Sequence, residues 1–278
     1  MSLFWRGIDY LYGRFAAEGG DLLAKTKRTR TCMARDELLN AQALFVVTPG
    51  RSGTKSLVEY CNKHSTMYSV HAPLPWLAST GHAYHQGALS SEAAFAAFYA
   101  ARETYLKSAF ERDLMFFDGD CKNLPLAPAI AHYMPNAKFL HVVRNPKSFI
   151  KSGLARGYYE NKSPEMWGHL SAPIELDGQI EKIAYFWDEA NLIAEQMKAD
   201  LGPARVQTLI ADEMFAEQGV ILRAFDAIGL GGMFHTQVSG PMRKSNAQAG
   251  VNAINSIVAA QIDAAIAKIC STRSLYFK

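Results

Sequence analysis

The chain has 278 residues, enough for two small domains or for one large α/β domain with insertions. Hydrophobic residues make up 49% and charged residues 20%, the balance of a globular protein with a sizeable buried core. A formal net charge of +3 is too small to argue for nucleic-acid binding, and it suits a local basic pocket for an anionic ligand.

Residues 1–30 open the chain with Phe4, Trp5, Ile8, Leu11, Tyr12 and Phe15 at helical spacing, followed by Lys25, Lys27, Arg28 and Arg30. The pattern predicts an N-terminal amphipathic helix. It either docks on the domain or a partner, or makes peripheral contact with a membrane surface. The stretch lacks the basic start and continuous apolar centre of a signal peptide. No apolar run approaches the roughly 18 residues of a membrane span. Cysteines at 32, 61, 121 and 270 show neither Cys-x-x-Cys nor zinc-ligand spacing, and read as reduced thiols of a cytoplasmic protein.

An unbroken apolar run from Ala43 to Val47 reads as a buried strand. It stops at Thr48-Pro49-Gly50, and a helical pattern restarts near Lys55 and runs to about Asn62. A strand, a tight Gly-rich turn and a helix N-terminus together make a phosphate cradle, because backbone N–H groups and the positive end of the helix dipole face the anion. Gly50 and Gly53 allow close backbone approach, while Arg51, Thr54, Lys55 and Ser56 add charge and hydroxyl donors. The loop is not a Walker A motif, which would require glycine where the chain has Pro49 and Thr54.

Further strands are expected at 67–71, 114–117, 138–143 and 205–210, with helices at 91–112, 125–133, from Pro146 toward Gly153 or Gly157, 179–200, 214–228 and 251–269. Residues 76–90 read as loop. Residues 157–177 read as an irregular insertion that covers the substrate, within a single domain spanning 1–278. Strands separated by helices predict an α/β fold with a central, mostly parallel sheet flanked by helices. Ligands of such folds sit at the carboxyl ends of the strands, where 48–56, His71, 118–123 and Arg144 converge.

Arg144 closes the fourth strand and Ser152 lies two turns into the next helix, a pairing that holds one phosphate from two sides. A surface salt bridge for Arg144 and a solvated Ser152 is the alternative at this point.

Thr48-Pro-Gly-Arg-Ser-Gly-Thr-Lys-Ser56 resembles the 5′-phosphosulfate loop of the sulfotransferases, in which Lys or Arg precedes Ser-Gly-Thr. Val142-Val-Arg-Asn-Pro-Lys-Ser-Phe-Ile-Lys-Ser152 resembles the same family's 3′-phosphate segment, an Arg-x-Pro with a Ser further along. Asp120-Cys-Lys-Asn123 and Pro135-Asn-Ala-Lys-Phe139 look like connecting segments common in bacterial members. The resemblance is specific over about 42–156. It implies a P-loop NTPase-like sulfotransferase fold with 3′-phosphoadenosine 5′-phosphosulfate (PAPS) as co-substrate, 3′-phosphoadenosine 5′-phosphate (PAP) as product, and no metal.

Carried over by the resemblance, Arg51 stands near the bridging oxygen and sulfonate, and Ser52, Gly53, Thr54, Lys55 and Ser56 hold the 5′-phosphate. Arg144 and Ser152 hold the 3′-phosphate, and Arg243-Lys244 in a late polar loop lies against the adenine and the far side of that phosphate. Family members follow the Arg-Lys pair with a Gly that this chain lacks. The base that takes the acceptor's proton is His71, in the family's position after the second strand, with Asp118 and Asp120 in reserve. For Lys122, a reach into the active centre and a plain surface lysine both stay open. His82 and His85 are two loop histidines with no third metal ligand.

Two other readings remain. A P-loop ATP-dependent kinase finds a partial Walker B in Phe116-Phe117-Asp118, and a non-catalytic nucleotide-binding relative keeps only the fold. The acceptor is a small molecule, a carbohydrate or a lipid headgroup. Trp76, Tyr84, Tyr158, Tyr159 and Trp167 suit its wall and suit ordinary packing equally. Oligomeric state is not written in the motifs.

Overall fold

The computed structural model describes residues 34–160, 170–235, 242 and 255–277. The expected N-terminal amphipathic helix, Trp167, and the Arg243-Lys244 pair lie outside the described residues.

Five strands form one sheet: β1 (Ala43–Val47), β2 (Met67–Val70), β3 (Met115–Asp118), β4 (Lys138–Val143) and β5 (Val206–Ile210). Their order is β2-β3-β1-β4-β5 and each neighbouring pair is parallel. The α/β expectation, a central parallel sheet flanked by helices, is therefore met. β1 is apolar at every position because both of its faces are covered, as a central parallel strand requires. Ala43, Phe45 and Val47 face a cluster with Phe98, Leu106, Phe149 and Trp187. Leu44 and Val46 face the other side, with Leu57, Val58, Ile221 and Phe225.

The helices in chain order are α1 (Arg35–Asn40), α2 (Thr54–His64), α3 (Ala78–His85), α4 (Ser91–Phe110), α5 (Ala127–Tyr133), α6 (Pro146–Leu154), α7 (Gln179–Leu201), α8 (Ala211–Ala216), α9 (Gln218–Ala227), α10 (Ser256–Ile269) and α11 (Arg273–Tyr276). Most follow the apolar periodicity. Ser90 caps α4 by accepting the Ala93 N–H at 3.2 Å, and Asn145 caps α6 ahead of Pro146.

Three stretches depart from expectation. Residues 78–85, expected as loop, form α3. The helix has no apolar stripe of its own and is held by fit, since a Cβ on Gly81 would stand 2.5 Å from the Pro125 ring. The expected helix from Pro125 is a 3₁₀ helix, Cys121–Leu126, that runs into α5. Asp120 opens it by accepting the Lys122 N–H at 3.1 Å. The single helix expected over 214–228 is divided, α8 ending at Ala216 and α9 beginning at Gln218.

The chain leaves β1 toward the β2–β3 side of the sheet and leaves β4 toward β5 on the other side. The loops after β1 and β4 therefore diverge, and a crevice opens between them at the carboxyl edge. No helix among the described residues is long and apolar enough to cross a membrane.

Candidate anion-binding site

The turn after β1 carries three positive φ angles, Gly50 at 87°, Arg51 at 56° and Gly53 at 85°. Such a run turns successive N–H groups toward one concavity, a nest for an anion. Gly53 is the position where no other residue fits: a Cβ there would lie 2.7 Å from the Phe215 ring of α8, in a conformation L side chains avoid. Gly53 also begins α2, whose first intrahelical bond runs from the Leu57 N–H to the Gly53 carbonyl at 3.0 Å. The N–H groups of Thr54 and Lys55 precede that bond and open the positive end of the helix.

Hydroxyls hold the turn. The Thr48 Oγ1–H donates to the Val142 carbonyl of β4 at 2.7 Å, and Ser52 Oγ lies 2.8 Å from Thr48 Oγ1 and donates to the Gly50 carbonyl at 2.9 Å. Thr48 and Ser52 are buried. The turn is thus fastened to β4, its neighbour in the sheet, before any ligand is considered.

The second segment meets the first directly. Arg51 Nε donates to Ser152 Oγ at 3.0 Å, and an Arg144 Nη1–H donates to the Arg51 carbonyl at 2.8 Å. Ser152 is only 3% exposed, on the inner face of α6. Residues about a hundred positions apart in sequence are in contact because β1 and β4 are adjacent, with Val47 opposite His141.

Electrostatically the pair is only partly compensated. Burial lowers the Arg51 guanidinium from its ordinary value and the charge of Arg156 lowers it further, against smaller opposing effects of Tyr158 and Cys121. Burial also lowers Arg144, followed by the charge of Arg51, with Asp212 and Tyr158 opposing. Among the described residues neither guanidinium forms an ion pair with a carboxylate. Two half-buried cations on neighbouring segments, unpaired with any described carboxylate, are chemically suited to an anion.

Tyr158 lies within electrostatic reach of Arg51, Arg144, Arg156 and Cys121, and burial pushes its phenol up to about 12. Arg156, in the turn just past α6, escaped the sequence reading; its charge reaches Arg51. Cys121 also borders the site: a Cβ on Gly50 would approach its Sγ to 3.1 Å.

Not every expected residue converges. Lys55 is exposed and its ammonium stands 3.7 Å from Glu59 one turn on, so its contribution at the turn is its backbone N–H. Ser56 is buried on α2. His71 stands half-buried at the carboxyl end of β2, separated from β1 by β3.

Asp118 and Asp120 take a different course from the reserve role of base. Both are fully buried. Arg102 Nε donates to Asp118 Oδ2 at 2.7 Å, and its Nη2 lies 3.5 Å from Asp120 Oδ2. A third bond from Arg102, at 2.9 Å, reaches the Pro75 carbonyl and so braces the loop after His71. Burial raises the Asp118 carboxyl from its ordinary value, with Arg102 opposing. Carboxylates consumed in this way are scaffold, and the partial Walker B at 116–118 is consumed with them. Lys122 sits at the edge of this group, its Nζ 3.4 Å from Asp120 Oδ1 and 4.8 Å from the centre of the Trp76 ring.

Among the described residues no three His, Cys, Asp or Glu side chains are grouped to hold a metal ion. No protein-family model matches the chain, and no curated protein does. Among solved structures, a sulfotransferase domain from the curacin biosynthetic pathway is 15% identical with a TM-score of 0.47, over 69% of this chain and 75% of its own. A sulfotransferase domain from the Synechococcus PCC 7002 olefin synthase is 16% identical with a TM-score of 0.44, over 72% of this chain and 78% of its own. A sulfotransferase from Alicyclobacillus acidocaldarius is 16% identical with a TM-score of 0.47, over 84% of this chain and 96% of its own. None of these likenesses is near enough to assign a substrate.

Proposed function

We propose that the protein is a sulfotransferase that uses PAPS as donor and an acceptor hydroxyl as second substrate. One observation carries this reading: Arg51 and Arg144, from two different strand ends, lie in contact over a glycine-built turn, with no carboxylate paired to either among the described residues. A donor with phosphates at both the 5′ and 3′ positions needs two such anchors, and an ordinary adenylate needs one.

The residues fit that donor. The nest at 50–53 and the opening of α2 would hold the 5′-phosphate, where Gly53 leaves the backbone bare. Arg144 and Ser152 would hold the 3′-phosphate. When bound, the donor supplies the terminal sulfonate that is transferred. Arg51 would stand by the bridging oxygen and neutralise the negative charge that builds there, in a site already partly shielded from water. Its bond to Ser152 fixes the guanidinium in advance, so little reorganisation is needed. His71 is the proposed base, placed on the loop that Arg102 braces through Pro75. The late Arg243-Lys244 pair is proposed to close the nucleotide side. A cytoplasmic protein is the setting that the reduced thiols suit. The kinase alternative is weakened by Pro49 and Thr54 in the turn and by Asp118 being spent on Arg102.

Calorimetric titration with PAP, beside ATP–magnesium and AMP, tests the reading. PAP is expected to bind most tightly and to lose that binding in Arg144→Ala. Preference for ATP–magnesium, or no nucleotide binding, would overturn it. His71→Ala is expected to leave PAP affinity unchanged and to abolish sulfuryl transfer. Undiminished turnover would remove His71 as the base and leave the donor assignment standing.

A further inference from the structure

Arg144 is held at its backbone as well as at its guanidinium. Val143 opposite Ile210 is the last pair of the β4–β5 ladder, so Arg144 stands one residue past it. There the Trp187 Nε1–H of α7 donates to the Arg144 carbonyl at 2.8 Å, and Trp187 itself is fully buried. Asn145, next in the chain, is fixed by accepting the N–H groups of Lys147 and Ser148 at 3.0 and 3.4 Å. A peptide plane pinned on both sides sets the direction in which the Arg144 side chain leaves the backbone. At its far end that side chain donates to the Arg51 carbonyl at 2.8 Å.

Trp187 is held in turn by residues 271–276. Trp187, Asn191 and Glu195 follow one another at i, i+4 and i+8 on α7 and so share a face. Tyr276 of α11 lies against that face. Its hydroxyl donates to Glu195 Oε1 at 2.8 Å, and its ring meets the Trp187 ring edge-to-face with centroids 6.4 Å apart. The same ring meets His141 of β4 edge-to-face at 5.6 Å. Asp188, beside Trp187 and buried, accepts from the Thr272 N–H at 2.8 Å, the Thr272 Oγ1–H at 2.7 Å and the Ser271 Oγ–H at 2.8 Å. A buried carboxylate satisfied by three donors of one segment fastens that segment. Residues 271–276 are thus tied to α7 at Asp188 and again, two turns on, at Glu195.

We propose that segment 271–276 is a clamp on the anion site, acting through Trp187 as a positioning residue for Arg144. Without the indole N–H the Arg144 peptide is free to turn, and its guanidinium must be ordered when the anion binds, at a cost in affinity. The coupling is reciprocal: an anion held by Arg144 tightens the clamp as much as the clamp favours the anion. The proposal rests on Arg144 being an anion anchor, and on the sulfotransferase reading for the identity of that anion.

Two measurements test it. Calorimetry of the full chain compares PAP, AMP and inorganic pyrophosphate in the unaltered protein, in Trp187→Phe and in Tyr276→Leu, with folding of each variant checked by thermal melts. Trp187→Phe, which keeps the aromatic bulk and loses the donor, is expected to weaken PAP by about tenfold. Tyr276→Leu is expected to weaken it by about threefold. AMP lacks the phosphate assigned to Arg144 and is expected to change by less than about twofold in both, whereas a general loosening of the structure would weaken PAP and AMP alike. Hydrogen–deuterium exchange on the unaltered chain needs no variant. There PAP is expected to slow the amides of 271–276 by about fivefold or more.

Equal losses for PAP and AMP, PAP unchanged in Trp187→Phe, or no slowing at 271–276 while PAP is bound would overturn the clamp and leave the donor reading standing. If PAP does not bind but pyrophosphate does, weakens in Trp187→Phe and slows the same amides, the donor reading falls and the clamp stands. Binding of neither anion would overturn both.

Discussion

Two groups of charges lie at the carboxyl edge of this sheet, and they are built in opposite ways. Arg102, Asp118 and Asp120 are fully buried and, with Lys122 at the edge, each charge faces a partner at hydrogen-bond or ion-pair distance. Arg51 and Arg144 are only half-buried and are joined through the Arg51 backbone carbonyl, with no carboxylate paired to either among the described residues. A closed ion group can be scaffold because it asks nothing of a ligand. An open one costs stability in the empty protein and is tolerable where an anion is to be bound. The contrast separates a brace from a proposed receptor at one sheet edge, and substitutions that break it are informative in order of size.

The largest effect is expected at the closed group. Arg102→Ala strands the buried Asp118 without its cation, leaves Asp120 only Lys122, and should cost about 3–5 kcal/mol of unfolding free energy, read by denaturant titration. A loss under about 1 kcal/mol would show that Asp118 and Asp120 do not depend on Arg102. At the open group the pattern reverses. Arg144→Ala should weaken PAP by about 10- to 100-fold, while apo stability changes by less than about 1 kcal/mol, since a lost hydrogen bond is offset by relief of Arg51. A large drop in stability there would move Arg144 to the scaffold.

His141 shows a third way to bury a titratable group, by keeping it neutral. Burial lowers its imidazole to about 4, and His141 Nε2 lies 2.8 Å from Asn191 Oδ1. The Asn191 amide N–H donates to the Trp187 carbonyl at 2.6 Å, which leaves its oxygen to accept from His141. The unfolded chain takes up the proton near 6.5 and the folded one only near 4. Stability from this group is therefore complete above about pH 6.5 and lost as pH falls toward 4. At pH 5 about 2 kcal/mol should be gone, and a His141→Gln variant should lack that share of the pH dependence. Identical pH profiles would remove His141 as its source.

The smallest effect is expected at Ser152→Ala. Arg51 loses one neutral acceptor, and PAP should weaken by a few-fold, about 1 kcal/mol. A change as large as that of Arg144→Ala would make Ser152 a primary anchor.

Much of the molecule was legible because it is written locally. β1 announces itself by five apolar residues in a row, and the turn after it by Gly50 and Gly53 at positions that take positive φ. Where local signals were weak, the reading failed. α3 has the sequence Ala-Ser-Thr-Gly-His-Ala-Tyr-His, with only its two alanines as strong helix formers and no apolar stripe, and it is a helix because Gly81 seats it on Pro125. Asp118 and Asp120 looked like reserve bases because nothing nearby in sequence shows that Arg102, on α4, will reach them.

The sequence by itself determined the Gly-rich turn after β1, through the steric permissiveness of glycine and the alternation of strand and helix periods. Only the tertiary structure decided which charges meet. Parallel strands pair across long crossovers, and the order β2-β3-β1-β4-β5 places β4 beside β1, so that Arg144 and Ser152 reach Arg51. That order follows from how both sheet faces are buried together, a property of all the helices at once and of no single segment.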